Sequence, residues 1–401
     1  MLATPEHDVV IVGAGIIGLA TARALERRFP GIHLRVIEKE NRPGFHQTGH
    51  NSGVIHSGLY YRAGSLKARL CVDGRKRMLE FCDDEGIPVG RYGKLVVATN
   101  AQQQSALDNL WSLGRANGLS GLEKLDPAGI RAIEPNVTGI AALRVPEAAV
   151  TDFSTVAERM AASLEGEVQT GAKVDVIEKT VGGVRVGAGE ESHTARVLIN
   201  CAGLHADRIA RLSGAKVPLR IIPFRGEYYV LKPSAEHLVK GLVYPVPDPR
   251  FPFLGVHFTR KVDGTVEVGP NAVLALAREH YRGTLPSLRD LWDTATYPGF
   301  WRIVSRYWRT GTEEMWHSLR TKSYARLAQS LVPAMNLDDL QKGGAGVRAQ
   351  AVGRDGRLLD DFEILSSEGA IHVLNAPSPA ATSSLAIGDY IADLAAASLK
   401  S

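Results

Sequence analysis

Asp8-Val9-Val10-Ile11-Val12 is an almost uninterrupted apolar run, the pattern of a strand buried on both faces. The chain then turns through Gly13-Ala14-Gly15-Ile16-Ile17-Gly18 and changes period, with Leu19, Ala22, Leu25 and Phe29 at helical spacing. A second run, His33-Leu34-Arg35-Val36-Ile37, predicts another strand that ends at Glu38. Helical spacing returns over 66–86 and 101–118, with the strand-like Tyr92-Gly93-Lys94-Leu95-Val96-Val97-Ala98 between them. Residues 139–150 read as strands joined by a turn, and Thr151-Asp152-Phe153-Ser154 caps a helix predicted over Thr155–Leu164. Three short strand-like runs follow, the last being Val197-Leu198-Ile199-Asn200, before the small residues Cys201-Ala202-Gly203. Residues 217–270 alternate as an antiparallel sheet does, most clearly at Tyr228–Leu231 and Phe253–Phe258. Ile371–Leu374 is a final strand, followed by a turn over Asn375–Pro379 and a helix from about Thr382.

The first of these units has a chemical meaning. Gly13 permits a tight turn, Gly15 lets a pyrophosphate reach the backbone, Gly18 lets helix and strand pack closely, and the helix N-terminus favours phosphate charge. Glu38 lies twenty residues past Gly18, where the dinucleotide fold places its acceptor for a ribose hydroxyl. NAD and FAD share this turn. The chain leaves Glu38 through Asn41-Arg42-Pro43-Gly44 instead of continuing alternating strands and helices, which favours FAD, because such a loop can run back along an extended cofactor.

Composition narrows the class. With 401 residues, 44% of them apolar and 22% charged, the chain has room for two domains and a sizeable core. Its three cysteines, Cys71, Cys82 and Cys201, show no CxxC spacing, so neither a metal site nor a disulfide framework is expected, and a reducing, cytoplasmic setting is. The first strand begins within ten residues and no apolar run reaches the roughly eighteen residues of a membrane span, so neither a signal peptide nor a transmembrane helix is expected. A net charge of +4 with interspersed signs gives no case for nucleic acid.

The stretch His46 to Tyr61, HQTGHNSGVIHSGLYY, concentrates histidine, hydroxyl residues and glycine just beyond the dinucleotide unit, and reads as the floor of an active site. Together with the glycine turn and Glu38, with Pro223–Tyr228, Phe253–Arg260, Gly346-Val347-Arg348-Ala349-Gln350 and Asn375–Ser384, it resembles the FAD-dependent L-2-hydroxyglutarate dehydrogenases and oxidases. These belong to the wider D-amino-acid-oxidase-like group. The resemblance implies an α/β fold in which a Rossmann-type FAD-binding domain (1–85 with 150–215 and 340–401) is interleaved with a mixed or antiparallel-sheet α+β substrate domain (86–149 with 216–339). By the same resemblance Gly13, Gly15 and Gly18 hold the pyrophosphate, Glu38 and Lys39 the adenosine, and Val174 the adenine through its backbone. Thr48 and Ser52 then touch the flavin side, and Ala202 and Gly203 the ADP side. The loop Pro379-Ala380-Ala381-Thr382 sets a helix N-terminus toward the flavin ring.

Oxidising a 2-hydroxy acid demands a base for the hydroxyl proton and cations for the carboxylate. His56 is the candidate base and His257 its rival, while His46 and His50 suit the cofactor. Arg348 fits a bidentate carboxylate clamp. A five-carbon diacid carries a second carboxylate, for which Lys94, His257, Thr259 and Arg260 are candidates, with Tyr60 and Tyr61 as hydroxyl donors; Arg225 suits the flavin. An amine oxidase of the glycine or sarcosine type and a non-catalytic flavin redox sensor are the competing readings.

Trp292, Trp301, Trp308 and Trp316 share one segment with Arg302, Arg306, Arg309 and Arg320. At helical spacing Tyr297, Trp301, Val304 and Trp308 can form one face, either packed on the substrate domain or laid on an anionic membrane over residues 292–326. The second option suits a dehydrogenase that hands electrons to a quinone or respiratory acceptor, peripheral on the inner face of the cytoplasmic membrane; O2 is the alternative acceptor.

Overall fold

The computed structural model describes residues 5–247, 255–270, 273–279, 281, 286–306 and 321–399. The strand His7–Val12 is the centre of an eight-stranded sheet, paired in parallel with Leu34–Ile37 on one side and Glu191–Asn200 on the other. Val9, Val10 and Ile11 are fully buried, as an apolar run with no polar alternation requires. Glu167–Gln169 extends the parallel order past Leu34–Ile37, and Ala370–Asn375 extends it past the carboxyl half of Glu191–Asn200. The hairpin Val174–Thr180 and Gly183–Ala188 adds to the other half of that strand, and Glu363–Ser367 forms the far edge.

Two helices cover one face of this sheet. Ile16–Arg28 buries Leu19, Ala20, Ala22, Ala24 and Leu25, and it packs against Ser384–Leu399, whose Gly388, Ala392 and Ala395 let the backbones approach. The second helix begins at Ser384 because residues 379–383 form a turn, in which Ser383 donates its N–H to the Pro379 carbonyl. Asp152 caps Phe153–Ala162 by accepting from the Ser154 N–H, so that helix starts two residues before the predicted Thr155.

A nine-stranded sheet forms the second layer. Its longest ladder joins Leu219–Leu231 to Leu340–Gly353 in antiparallel register, from Leu219 opposite Gly353 to Leu231 opposite Leu340. That pairing corrects the domain boundary expected at residue 340: Leu340–Gly353 belongs to the second sheet. Its sequence, LQKGGAGVRAQAVG, carries four glycines and little apolar alternation, so only its distant partner reveals it as a strand.

Further along this sheet Lys94–Ala98 pairs in parallel with Leu242–Pro245, which pairs with His257–Arg260. The register sets Lys94 beside Leu242 and Leu242 beside Thr259. Because side chains alternate along a strand, Lys94, Tyr244, His257 and Thr259 share one face, while Leu95, Val97, Val243 and Phe258 enter the core behind it. A three-stranded sheet of Val54–Ile55, Val89–Gly90 and Ala149–Thr151 delivers the chain from the dinucleotide unit to His56.

The two large sheets are fastened by a buried ion pair. Arg278 donates to both Asp207 carboxylate oxygens, at 2.5 and 3.1 Å, and to the carbonyls of Leu204 and Ile221 at 2.7 and 3.1 Å. Every oxygen and nitrogen of so deeply buried a pair needs a partner, and this one supplies them.

The aromatic face expected over Tyr297–Trp308 is divided. Tyr297 is buried, with its hydroxyl donating to the Val352 carbonyl at 2.9 Å, whereas Trp301 is exposed on the helical residues 298–306. Tyr297 precedes that helix, so the assumed spacing does not apply. Trp308, Trp316, Arg309 and Arg320 lie outside the described residues, as do Phe253 and Leu254. Among the described residues no helix is long and apolar enough to cross a membrane.

Candidate active site

The parallel strands His7–Val12, Leu34–Ile37, Glu191–Asn200 and Ala370–Asn375 all end at one rim, and the loops that follow them line a single cavity of about 1440 Å³. A crevice at the carboxyl ends of parallel strands is where open α/β sheets bind ligands. One region of its wall carries Gly13, Gly15, Glu38, Lys39, Val174, Ala202 and Gly203; another carries His56, Tyr60, Tyr61, His257 and Arg348. Thr48, Ser52 and Pro379–Thr382 line it as well.

The glycine turn distinguishes packing from ligand approach. A methyl group at Gly13 would lie 2.6 Å from the Cys201 carbonyl oxygen, and one at Gly18 would lie 2.0 Å from the Gly13 oxygen, so both glycines are required by the protein itself. At Gly15 a methyl would meet only Thr48 Oγ1, at 3.6 Å, and would otherwise point into the cavity. Thr48 Oγ1 accepts from the Ile16 N–H at the helix N-terminus, and Glu38 accepts from the N–H groups of Ala14 and Glu40, each at 2.9 Å. An open backbone at a helix N-terminus, beside a buried carboxylate, fits the diphosphate and ribose of a dinucleotide.

Lys39 and His46 belong to a charged cluster on the same wall. The Lys39 ammonium is 2.7 Å from both Glu279 Oε1 and His46 Nε2, and His46 also reaches Glu40 at 2.9 Å and the Tyr281 hydroxyl at 3.2 Å. Burial pushes the Glu279 carboxyl up, but hydrogen bonds from His205 and Lys39 outweigh it and hold the group well below the carboxylate range. His50 stacks on Tyr281, with ring centroids 3.8 Å apart.

The other region is cationic. Lys94 is 2% exposed and lies over the rings of Tyr244 and Tyr60, 4.5 and 5.0 Å from their centroids, with no ion pair among the described residues. Burial pulls its pKa from 10.5 to about 8. His257 stacks on Tyr244 at 4.0 Å and holds its Nδ1 2.9 Å from the Gly255 carbonyl; burial, reinforced by Lys94, lowers it to about 4. His56 is lowered to about 3 by burial first and then by Lys94, His257 and Lys67. Both imidazoles are neutral at pH 7. The Tyr60 hydroxyl is buried without a hydrogen-bond partner among the described residues, and burial raises its pKa.

The structure separates the candidates for the second carboxylate. Lys94 and Thr259 lie on the sheet face behind Tyr60 and Tyr244, whereas Arg260 points to the opposite side and donates to the carbonyls of Glu236 and Val239 at 3.3 and 3.2 Å. Arg225, on the cavity wall, pairs with Glu227 at 3.3 Å. Sequence reading missed Lys67, which lines the cavity, lies 4.9 Å from the Tyr61 ring centroid and donates to the Asp360 carbonyl at 2.8 Å. Its repulsion by Arg348, added to burial, lowers its pKa and places the two cations together. Ser378 and Tyr228 line the cavity too, and neither belongs to a spacing pattern that marks it.

A family model described as FAD dependent oxidoreductase matches residues 8–394. The chain belongs to the FAD-dependent oxidoreductase family. Among its relatives, this oxidoreductase is 46% identical to an L-2-hydroxyglutarate dehydrogenase of Indibacter alkaliphilus over 97% of this chain and 99% of that one. It is 44% identical to the enzyme of that name from Escherichia coli K12, over 96% and 92% of the two chains. The mitochondrial L-2-hydroxyglutarate dehydrogenase of Bos taurus is 43% identical, over 98% and 89%. In fold, the oxidoreductase is similar to the FAD-bound L-alpha-glycerophosphate oxidase of Mycoplasma pneumoniae (TM-score 0.76, 23% identity, 98% and 95% coverage). Glycine oxidase of Geobacillus kaustophilus has the same architecture (TM-score 0.74, 17% identity, 98% and 95% coverage). FAD is thus the cofactor of this oxidoreductase, and the open glycine turn and Glu38 could hold its ADP half.

Gly15→Ala separates cofactor binding from folding. Its cofactor-free form is expected to melt within about 1 kcal/mol of the parent, since the methyl meets ordinary contacts, while FAD affinity falls at least about tenfold. Melting curves and flavin bound per chain at fixed FAD measure the two; unchanged FAD affinity would reject the assignment. For Lys94, the unfolded chain retains a proton that the folded chain loses between pH 8 and 10.5, so stability rises with pH over that window. The buried charge costs about 3 kcal/mol at pH 7. Lys94→Met should flatten that rise and gain about 1–3 kcal/mol at pH 7 in chemical denaturation; a loss of stability there would contradict it.

Proposed function

We propose that this oxidoreductase converts L-2-hydroxyglutarate to 2-oxoglutarate. The observation that carries the reading is the buried Lys94, with no anion beside it among the described residues, on the same side of the site as His257, with Arg348 and Lys67 forming a second cationic group at the Tyr61 side. Two separate cationic positions around one imidazole suit a molecule with a carboxylate at each end. The 43–46% identity to L-2-hydroxyglutarate dehydrogenases over nearly the full chain supports the same substrate.

FAD, when bound, supplies the two-electron acceptor for the hydride that leaves C2. Arg348 and Lys67 hold the C1 carboxylate, and Lys94 attracts the C5 carboxylate past Tyr60, whose orphaned hydroxyl donates to it. His56 takes the proton of the 2-hydroxyl, a role worth roughly 10²- to 10⁴-fold in rate. Burial first, and then Lys94 and Lys67, lower its basicity, and a substrate dianion offsets the part that the two cations contribute. His257 orients the hydroxyl. A glycine-type amine substrate has no second carboxylate and leaves Lys94 uncompensated, and a non-catalytic sensor has no use for the neutral imidazoles.

The acceptor reading rests on the surface. Leu288 and Trp292, four residues apart on the helix Leu288–Ala295, are 82% and 72% exposed, and Trp301 is 57% exposed. Arg289, Arg302 and Arg306 accompany them in sequence, and Ser287, Arg289 and Asp290 also line the cavity. Apolar side chains among arginines suit peripheral contact with an anionic membrane, where a quinone takes the electrons. The proposed contact is peripheral, at the inner face of the cytoplasmic membrane.

Anaerobic titration of the holoenzyme should bleach its flavin with L-2-hydroxyglutarate and form 2-oxoglutarate without ammonia, while D-2-hydroxyglutarate and glycine leave it oxidised. His56→Ala should slow that reduction by about 10²-fold or more without loss of FAD; bleaching by glycine with ammonia release would replace the reading with an amine oxidase. The holoenzyme should also co-sediment with vesicles containing phosphatidylglycerol but not with phosphatidylcholine alone, and the double variant Trp292→Ala/Trp301→Ala should weaken this at least about tenfold. Equal binding to both vesicle types, or to neither, overturns the membrane contact.

A further inference from the structure

His56 is held by its backbone from two sides. Its N–H donates to Thr382 Oγ1 at 3.0 Å, and its carbonyl accepts from Cys71 Sγ at 3.4 Å. These contacts fix the main chain and do not involve the imidazole. Among the described residues, one protein group meets the ring itself: Ser378 Oγ, 3.4 Å from Nε2. Ser378 also hydrogen-bonds the Tyr61 hydroxyl and is exposed on the cavity wall.

We infer that Ser378 is the positioning residue for His56: it accepts a hydrogen bond from Nε2–H and so leaves Nδ1 as the nitrogen that receives the substrate proton. The inference rests on His56 being the base. Neutral imidazole carries one proton, and the nitrogen that accepts the substrate hydroxyl proton must be the other one. Nε2 faces Ser378, so Nδ1 is the working nitrogen and Nε2 must carry the proton. A serine oxygen has two lone pairs and one rotatable proton, so it can accept from a protonated Nε2. A carboxylate in the same place would be a stronger orienter, but it would neutralise Lys94 and Lys67, the cations the substrate needs. The neutral hydroxyl selects the tautomer without changing the charge of the site. In the reaction the substrate O–H bond breaks, its proton forms the Nδ1–H bond, and the resulting imidazolium keeps its Nε2–H on Ser378. The separation of 3.4 Å is long, as hydrogen bonds to catalytic groups are before substrate arrives.

Ser378→Ala is expected to slow flavin reduction by about 10- to 100-fold, the range found when the orienting partner of a functional histidine is lost. FAD content and KM should be unchanged. Ser378→Thr keeps the hydroxyl and should restore most of the rate. The decisive readout is the double variant His56→Ala/Ser378→Ala, measured by anaerobic stopped-flow on holoenzyme. If Ser378 acts through the imidazole, the double variant is no slower than His56→Ala alone, whereas a merely structural contribution adds its own factor. A slow His56→Ala with a parental rate for Ser378→Ala overturns the inference and leaves the base assignment standing. Additive losses, or no rescue by Ser378→Thr, overturn it as well. A parental rate for His56→Ala overturns the base assignment itself, and the inference with it.

Discussion

A fully buried hydroxyl, Thr382 Oγ1, ties the active-site segment to the far end of the chain. It accepts from the His56 N–H at 3.0 Å and donates to the Val54 carbonyl at 3.3 Å, joining positions more than three hundred residues apart. The segment after Val54–Ile55 has almost no regular structure, so it inherits its geometry from what it touches. Gly74 continues the same contact: a methyl there would lie 2.5 Å from Ser383 Cα, so the helix Leu66–Asp84 presses directly on the turn that precedes the last helix. Catalytic placement to within fractions of an ångström is thus a product of tertiary packing between two irregular stretches.

Two buried basic residues show how differently this fold treats charge. Arg278 meets a carboxylate and two carbonyls and is saturated, as a residue that joins two sheets must be. Lys94 is buried as deeply but, among the described residues, meets aromatic rings and no anion, so its charge is maintained at a cost to stability. Natural proteins retain such costs where function requires them, and in the proposed function a substrate carboxylate compensates Lys94. Burial first, and Lys94 among the nearby charges, also hold the His56 imidazole neutral.

What the sequence revealed follows the range of the interactions involved. The strand, glycine turn, helix and Glu38 were legible because each depends on neighbours within about thirty residues. The segment His46–Tyr61 announced itself through composition, and Arg348 through its glycine-rich flanks. Leu340–Gly353 was assigned to the wrong sheet because its pairing with Leu219–Leu231 crosses more than a hundred residues. Lys67 looked like any polar residue on a helix, and only folding brings it to Tyr61 and Arg348. Arg260 was judged by its charge, but a one-residue step along a strand decides the face, and it falls on the side opposite Thr259.

The same one-residue logic explains how one architecture serves different substrates. Glycerophosphate oxidase and glycine oxidase share this fold at 23% and 17% identity, so the sheets and the cofactor crevice do not by themselves choose a substrate. That choice falls to the alternating positions of the second sheet that point into the cavity, here Tyr244 and His257 with Lys94 behind them. Their neighbours on the opposite face, Leu95, Val243 and Phe258, are committed to the core and constrained by packing. A face-to-cavity residue can change without disturbing that core, because the strand register holds the backbone regardless of what the exposed alternation carries. Under the proposed function, placing the substrate-reading residues on rigid strands and the base on an irregular loop divides specificity from proton transfer, so each is tuned by a different part of the chain.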